Sequence, residues 1–392
     1  MTTRIVVVGA GYAGLAAAKL AARWTGAEVT LVNAGDRFVE RVRLHQLAAG
    51  QPLRDLPLAG LLRGTGVRLV VDRVTGIDAA TRTVRLGGRE LGYDRLVYAA
   101  GSQADLDSVP GAARYAYPLA SYPEASRLRA HLADSGDGGT VAVVGGGLTG
   151  IEAAAELAET LPRLKVRLVT GGVLGEALSL RGRRYLWRTF ERLGVDVREC
   201  ARVAEVRADG LLLAGGGDSA PGDSPRGDRA PDTGAGSDHV AAATVVWTAG
   251  FRVSDLARRA GLAVDGAGRM IVDQTLRSVS HPEVSGVGDA AAIRRADGLE
   301  LRMACATGLP SAQQAVRAMA AELAGREPRP LRYRYLNQCI SLGRRDGLVQ
   351  FVHADDTPRE AVLTGRLAAL YKEAIVRGTV LFERHPTLPA SA

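Results

Sequence analysis

The chain has 392 residues, of which 46% are hydrophobic and 23% charged, enough apolar material for two or three domains with real cores. Its net charge of +8 comes almost entirely from Arg, with Lys only at Lys19, Lys165 and Lys372. These charges are dispersed, and aromatic residues make up only 5% of the chain, so neither a basic block nor a stacking platform for nucleic acid is present.

Residues 4–8, RIVVV, predict a β-strand that runs directly into a glycine-rich turn. This apolar run is too short for a signal-peptide core, and no stretch approaches the roughly 20 apolar residues of a membrane span, so a cytoplasmic location is expected. After the turn Gly9-Ala-Gly11-Tyr-Ala-Gly14, an Ala/Leu helix is expected to about residue 24 and a second strand over 28–32. Residues 95–102, RLVYAAGS, read as a strand ending in a small-residue turn. The opening unit then returns: a strand over 140–144, Gly145-Gly-Gly147-Leu-Thr-Gly150, a helix to about 159 and a strand over 166–169. Between Ala214 and His239 the chain is rich in Gly, Pro, Asp and Ser, which predicts a mobile surface insertion. Strand character resumes at 244–247, 270–272 and 284–287, and a helix is expected over 311–323. Beyond the Pro-rich break at 327–330, a tail carries strands near 339–342 and 348–352. Its helix, from about 365 to 377, suits domain or dimer packing better than a membrane anchor. Cys200, Cys305 and Cys339 include no C-x-x-C pair, which argues against a disulfide scaffold or a redox-active dithiol. No metal-ligand cluster is expected.

In G-x-G-x-x-G after a strand, the first glycine makes the tight turn. The second lets a pyrophosphate approach the backbone, and the third lets helix pack on strand. The helix N-terminus adds free N–H groups and a positive dipole end. Gly9, Gly11 and Gly14, with Tyr12 and Ala13 in the same turn, form one such site; Gly145, Gly147 and Gly150 form another. The ribose of a bound dinucleotide usually meets an acid at the end of the second strand. Here Asn33 and Thr170 hold those positions, and Arg181, Arg183 and Arg184 lie shortly after the second. Without a carboxylate to repel a 2′-phosphate, NADPH is as well suited as NADH.

The strand-and-turn at 95–102 and the strand-ending VSGVGD at 284–289 resemble two segments of the two-dinucleotide-binding-domain flavoproteins, the glutathione-reductase-like superfamily. The resemblance covers residues 1 to about 325. It implies that Ala100 and Gly101 mark the junction of FAD and NAD(P) domains, and that Asp289, after Gly288, holds the FAD ribityl hydroxyls. Within this superfamily the segments GGGLTGIEAAAELAE, VVWTAGFRVSDLARRAGL (with Gly250) and RMIVDQTLRSVSHPEVSGVGDAA are similar to type II NADH:quinone dehydrogenases and apoptosis-inducing-factor-like relatives. That likeness implies that Glu152 lies near the nicotinamide–flavin contact and that residues 38–50, with Arg41, Arg43 and His45, run beside the isoalloxazine. It further implies that Leu309 and Pro310 open a flavin-facing helix, with Cys305 a small buried residue just before it. The chain departs from the quinone dehydrogenases where their A-Q-x-x-x-Q carries a second Gln: Gln313 is followed by Arg317.

The resulting expectation is an α/β fold. FAD-binding parts occupy residues 1–110 and 244–326, an NAD(P)-binding domain 111–243, and an α+β tail 327–392. The expected activity is hydride transfer from NAD(P)H to FAD, then electron transfer to a quinone or other small acceptor. A flavin oxidase or monooxygenase and a redox-sensing protein are the alternatives, and peripheral membrane contact and homodimerisation stay open.

Overall fold

Four of the five residues in Arg4–Val8 are buried, which places this strand at the centre of a sheet covered on both faces. The structure, a computed structural model, describes residues 2–134, 138–214 and 239–386. The first sheet is wholly parallel, in the order Val284–Gly286, Arg95–Tyr98, Arg4–Val8, Glu28–Asn33 and Arg68–Val71. The second is also wholly parallel, in the order Asp196–Arg198, Leu164–Val169, Gly139–Val144, Thr244–Trp247 and Ala116–Pro118. The registers match: Val8 pairs with Val32 in the first unit, and Val144 with Val169 in the second. Each glycine turn therefore leaves its sheet at the carboxyl end of the strands, where ligands of open parallel sheets bind.

The helix Tyr12–Thr25 buries Ala16, Ala17, Ala18 and Ala21 completely. It shares one core with Ala312, Ala315 and Val316 of the helix Cys305–Leu323. Small side chains on both helices permit close approach of the two backbones. The second sheet carries a separate core on each face, and one of these takes in Ile340, Leu342 and Leu348 from the tail.

Several elements differ from expectation. The strand Thr244–Trp247 pairs with Gly139–Val144, so it belongs to the second sheet and the expected boundary at 243/244 lies ahead of it. An antiparallel meander, Gly76–Asp78, Thr83–Arg85 and Glu90–Gly92, was not foreseen. The tail sheet has three antiparallel strands, Asn337–Ser341, Gly347–Val352 and Pro358–Thr364. The last is mostly exposed and had no apolar alternation to reveal it. The tail helix continues past residue 377 and spans Gly365–Arg384. Gly378 weakens that helix by roughly 1 kcal/mol relative to Ala, but Val380 and Phe382 then bury against the first core, which offsets the cost.

The helix expected over 311–323 begins six residues earlier, at Cys305. Leu309 and Pro310 are accordingly buried in its second turn rather than at its start. A proline inside a helix leaves the carbonyl four residues back without its N–H partner. Here the Tyr333 hydroxyl donates to the Ala306 carbonyl at 3.2 Å and replaces that bond. Most of the predicted insertion, residues 215–238, lies outside the described residues; its flanks meet across a ladder in which Leu212 pairs with His239. No helix among the described residues is long and apolar enough to cross a membrane.

Candidate functional site

Steric space explains the glycines of both turns. A Cβ on Gly9 would lie 2.3 Å from the Ala99 carbonyl oxygen and 3.4 Å from Ala100 Cα. One on Gly14 would lie 1.9 Å from the Gly9 carbonyl oxygen. In the second turn, a Cβ on Gly145 would meet Thr248 Oγ1 at 2.7 Å, and one on Gly150 the Gly145 carbonyl oxygen at 1.9 Å. The middle glycines behave differently, because a Cβ on Gly11 or Gly147 would meet nothing within 4 Å. Both middle glycines cap helices that have no acid in the first turn and no side-chain cap. Each turn thus presents bare backbone and free amides to the outside, the geometry that suits a pyrophosphate.

Around the first turn, Asn33 accepts a hydrogen bond from the Ala10 amide at 2.9 Å and donates to the Gly35 carbonyl at 2.8 Å. Its side chain braces the turn, a role the expected ribose contact does not include. Tyr12 packs edge-on against Phe38 at 5.0 Å, and a Cβ on Gly288 would come within 3.2 Å of Ala13 Cβ. The Gly288 amide donates to Ser311 Oγ at 3.0 Å, fixing the Gly288–Asp289 turn to the helix Cys305–Leu323. The Ser102 hydroxyl donates to Asp289 Oδ2 at 2.7 Å, and Arg41 lies 3.8 Å from the same carboxylate. Arg41 Nη1 also donates to Ser102 Oγ at 3.4 Å. A Cβ on Gly101 would approach that guanidinium at 3.9 Å. Arg41, Gly101 and Asp289, predicted separately, therefore form one group, and Ser102 is the member sequence reasoning passed over. Cys305 is the first residue of the helix and not a residue preceding it; its residue surface is exposed, while burial of the thiol pushes its pKa up.

At the second turn, Thr170 follows the strand Leu164–Val169, and its Oγ1 would sit 2.4 Å from a Cβ on Gly146. Its amide donates to the Arg198 carbonyl, so the side chain is held beside the turn. The amides of Leu180 and Arg181, opening the helix Leu180–Leu193, donate to Glu360 of the tail sheet at 3.1 and 3.2 Å. Gly250 packs against Asp105, to whose carbonyl Trp247 Nε1 donates at 2.7 Å.

A third group joins residues from five elements. Arg43 closes the short helical turn Arg41–Arg43 and donates to Glu40 at 3.1 Å, Gln46 at 3.1 Å and Glu373 of the tail helix at 2.9 Å. His45 is buried, with Nδ1 3.7 Å from Glu152 Oε2. Burial, helped by Lys372, Arg344 and Arg43, holds its pKa well below the usual value, so the imidazole is neutral. Glu152 Oε1 accepts the Ser341 amide at 3.0 Å and contacts Lys372 Nζ. Burial and the Arg43 guanidinium lower the Lys372 amine to about 7, which places its titration where proton transfer at neutral pH needs it. Glu152, Arg43 and His45 were expected from sequence; Lys372, Ser341 and Glu373 were not. The one available signal was composition, since Lys372 is one of three lysines in the chain. A cavity of about 490 Å³ opens over this group, within the roughly 300–1,000 Å³ usual for small-molecule sites. Gln313 donates to the Pro386 carbonyl at 2.9 Å, and the Arg317 guanidinium lies 5.6 Å from the Trp24 ring centroid.

The model of the pyridine nucleotide-disulphide oxidoreductase family matches residues 3–319. An NADH dehydrogenase-like protein of Mycobacterium tuberculosis is 34% identical over 336 residues, covering 80% of this chain and 79% of the relative. A type II NADH:quinone oxidoreductase of Staphylococcus haemolyticus is 25% identical, with 95% and 94% covered. Among solved structures, the sulfide:quinone oxidoreductase of Aquifex aeolicus shares the fold with a TM-score of 0.78 at 18% identity, covering 98% of this chain and 92% of that one. The chain belongs to the pyridine nucleotide-disulphide oxidoreductase family and is similar to its NADH dehydrogenase-like and type II NADH:quinone oxidoreductase members.

Proposed function

We propose that this protein is an FAD-dependent NAD(P)H oxidoreductase whose electrons leave to a quinone or similar small acceptor. The observation that carries this reading is the pair of glycine turns, each with packed outer glycines and an open middle one, with the Glu152 group between the sheets and the tail. FAD fits the first turn: Gly11 leaves room for a pyrophosphate, and Asp289, already accepting from Ser102, has acceptor capacity left for ribityl hydroxyls. The coenzyme fits the second, with Gly147 open and Thr170 beside the turn. Residues 1–110 and 248–326 then form the FAD unit, 111–247 the coenzyme unit and 327–392 a covering tail.

When bound, FAD supplies the two-electron relay between coenzyme and acceptor. The chain supplies orientation and protons. Neutral His45 and the buried Arg43 fix the segment beside the cavity, while Glu152 anchors Lys372 at the cavity floor. Lys372, near the middle of its titration at pH 7, can pass a proton to an acceptor oxygen and regain it from water. Because Thr170, the residue at the coenzyme turn, is not acidic, nothing there repels a 2′-phosphate and both NADH and NADPH are accepted. The test is anaerobic reduction of the purified yellow protein by each coenzyme, then mixing with a quinone, ferredoxin or oxygen. The reading requires FAD in the heat-released extract and fastest reoxidation by the quinone; FMN in the extract, or faster reoxidation by oxygen, overturns it.

A further inference from the structure

The cavity over Lys372 has two chemically different parts. Val42, Leu370 and Val376 give an apolar wall, suited to a flat ring. The rim carries Arg344, Arg345 and Arg366. All three are exposed, and their side chains make no hydrogen bond or ion pair with any described residue. The other charged lining residues are engaged: Lys372 contacts Glu152, and Glu373 is taken by Arg43 and Arg377. The tail helix also begins beside Arg366, with no acid in its first turn and no capping bond from Thr364. Its first backbone amide is instead bonded to Tyr185, whose hydroxyl donates to Asp346 at 2.6 Å, so the positive charge of the rim rests on the arginines.

Three exposed guanidiniums around one opening, none in an ion pair although Arg344 acts on the charge of the buried Glu156, form a rim complementary to negative charge. We infer that the acceptor taken here is anionic: a quinone bearing a sulfonate, carboxylate or ionised hydroxyl, its ring on the Val42–Leu370 wall and its charge at the arginine rim. This inference rests on the reading that electrons leave to a quinone. The reaction is NAD(P)H + H⁺ + quinone → NAD(P)⁺ + hydroquinone. The two carbonyl oxygens of the ring gain two electrons and two protons, and the charged substituent is unchanged.

The experiment compares naphthoquinone sulfonate with neutral menadione on the oxidised, FAD-loaded protein. Equilibrium binding is measured by calorimetry, followed by KM for each with NADH. The sulfonate is expected to bind at least tenfold tighter at low salt, with the gap closing as salt screens the rim. The triple variant R344Q/R345Q/R366Q should bring the ratio of the two dissociation constants near one, with flavin content as the control for folding. Equal binding of both quinones by the wild type, with both reduced, overturns the inference and leaves the quinone reading intact. If NADH reduces the flavin but neither quinone binds nor reoxidises it, both fall. Sedimentation with phosphatidylglycerol or phosphatidylcholine vesicles supplies the last arm: loss of vesicle binding in the triple variant, with the sulfonate preference retained, assigns the rim to lipid headgroups and overturns the inference.

Discussion

Replacing Lys372 by methionine removes a buried amine while keeping much of its volume. In the folded protein that amine titrates near 7 because burial and Arg43 disfavour its charged form, against an ordinary value of 10.5. Between those two values the unfolded chain holds a proton that the folded chain has released. Stability therefore rises with pH across that window, and the lysine costs most below pH 7. At up to about 1.36 kcal/mol per pH unit, and half that at pH 7 where the folded amine is half protonated, the rise from pH 7 to 9 amounts to roughly 2.3 kcal/mol. The variant lacks this slope. The difference in unfolding free energy, wild type minus variant, should thus climb by roughly 2.3 kcal/mol between pH 7 and 9. Urea unfolding followed by circular dichroism, in excess FAD and with equal slopes for the two proteins, measures it. A difference that stays flat across this range would mean that Glu152 keeps the amine charged past pH 9, and the proton-donating role given to Lys372 would fall with it.

The glycine turns separate packing from binding. Gly14→Ala should destabilise the fold by about 1–3 kcal/mol or more, since its Cβ would sit 1.9 Å from a backbone oxygen. Gly11→Ala, facing open space, should leave apoprotein stability within about 0.5 kcal/mol and weaken FAD binding at least tenfold; urea midpoints and a flavin titration distinguish the two. Asp289→Ala should weaken FAD by about 1.5–3 kcal/mol, the value of a charge-assisted hydrogen bond, with no change in flavin affinity refuting the ribityl assignment. Thr170→Glu should shift preference toward NADH by excluding NADPH. Stopped-flow flavin reduction with both coenzymes reads the ratio, and an unchanged ratio removes Thr170 from the coenzyme ribose.

The two nucleotide turns could be read from sequence because their chemistry is local. Within six residues a glycine is required where Cβ would strike a backbone oxygen, at Gly9, Gly14 and Gly150. The flanking strands announce themselves as short apolar runs of fully buried parallel sheets. The same locality misled at the helix Cys305–Leu323. Pro310 reads as a helix start, and the Tyr333 hydroxyl that lets it sit inside the helix reaches the Ala306 carbonyl from 27 residues further along the chain. The strand Pro358–Thr364 stayed hidden because an exposed edge strand carries no apolar alternation.

The sequence, through its family resemblance, proposed Glu152 and, separately, Arg43 and His45. It gave no means of finding their partner, because Glu152 and Lys372 are 220 residues apart and a lysine on a helix ordinarily projects into water. Asn33 likewise kept its predicted place at the end of the second strand but turned its amide to the Ala10 backbone. Local backbone sterics thus determined where the dinucleotide turns lie. Only tertiary packing decided which charges are buried together, because the desolvation that lowers Lys372 and keeps His45 neutral exists only once the tail helix closes over the second Rossmann unit.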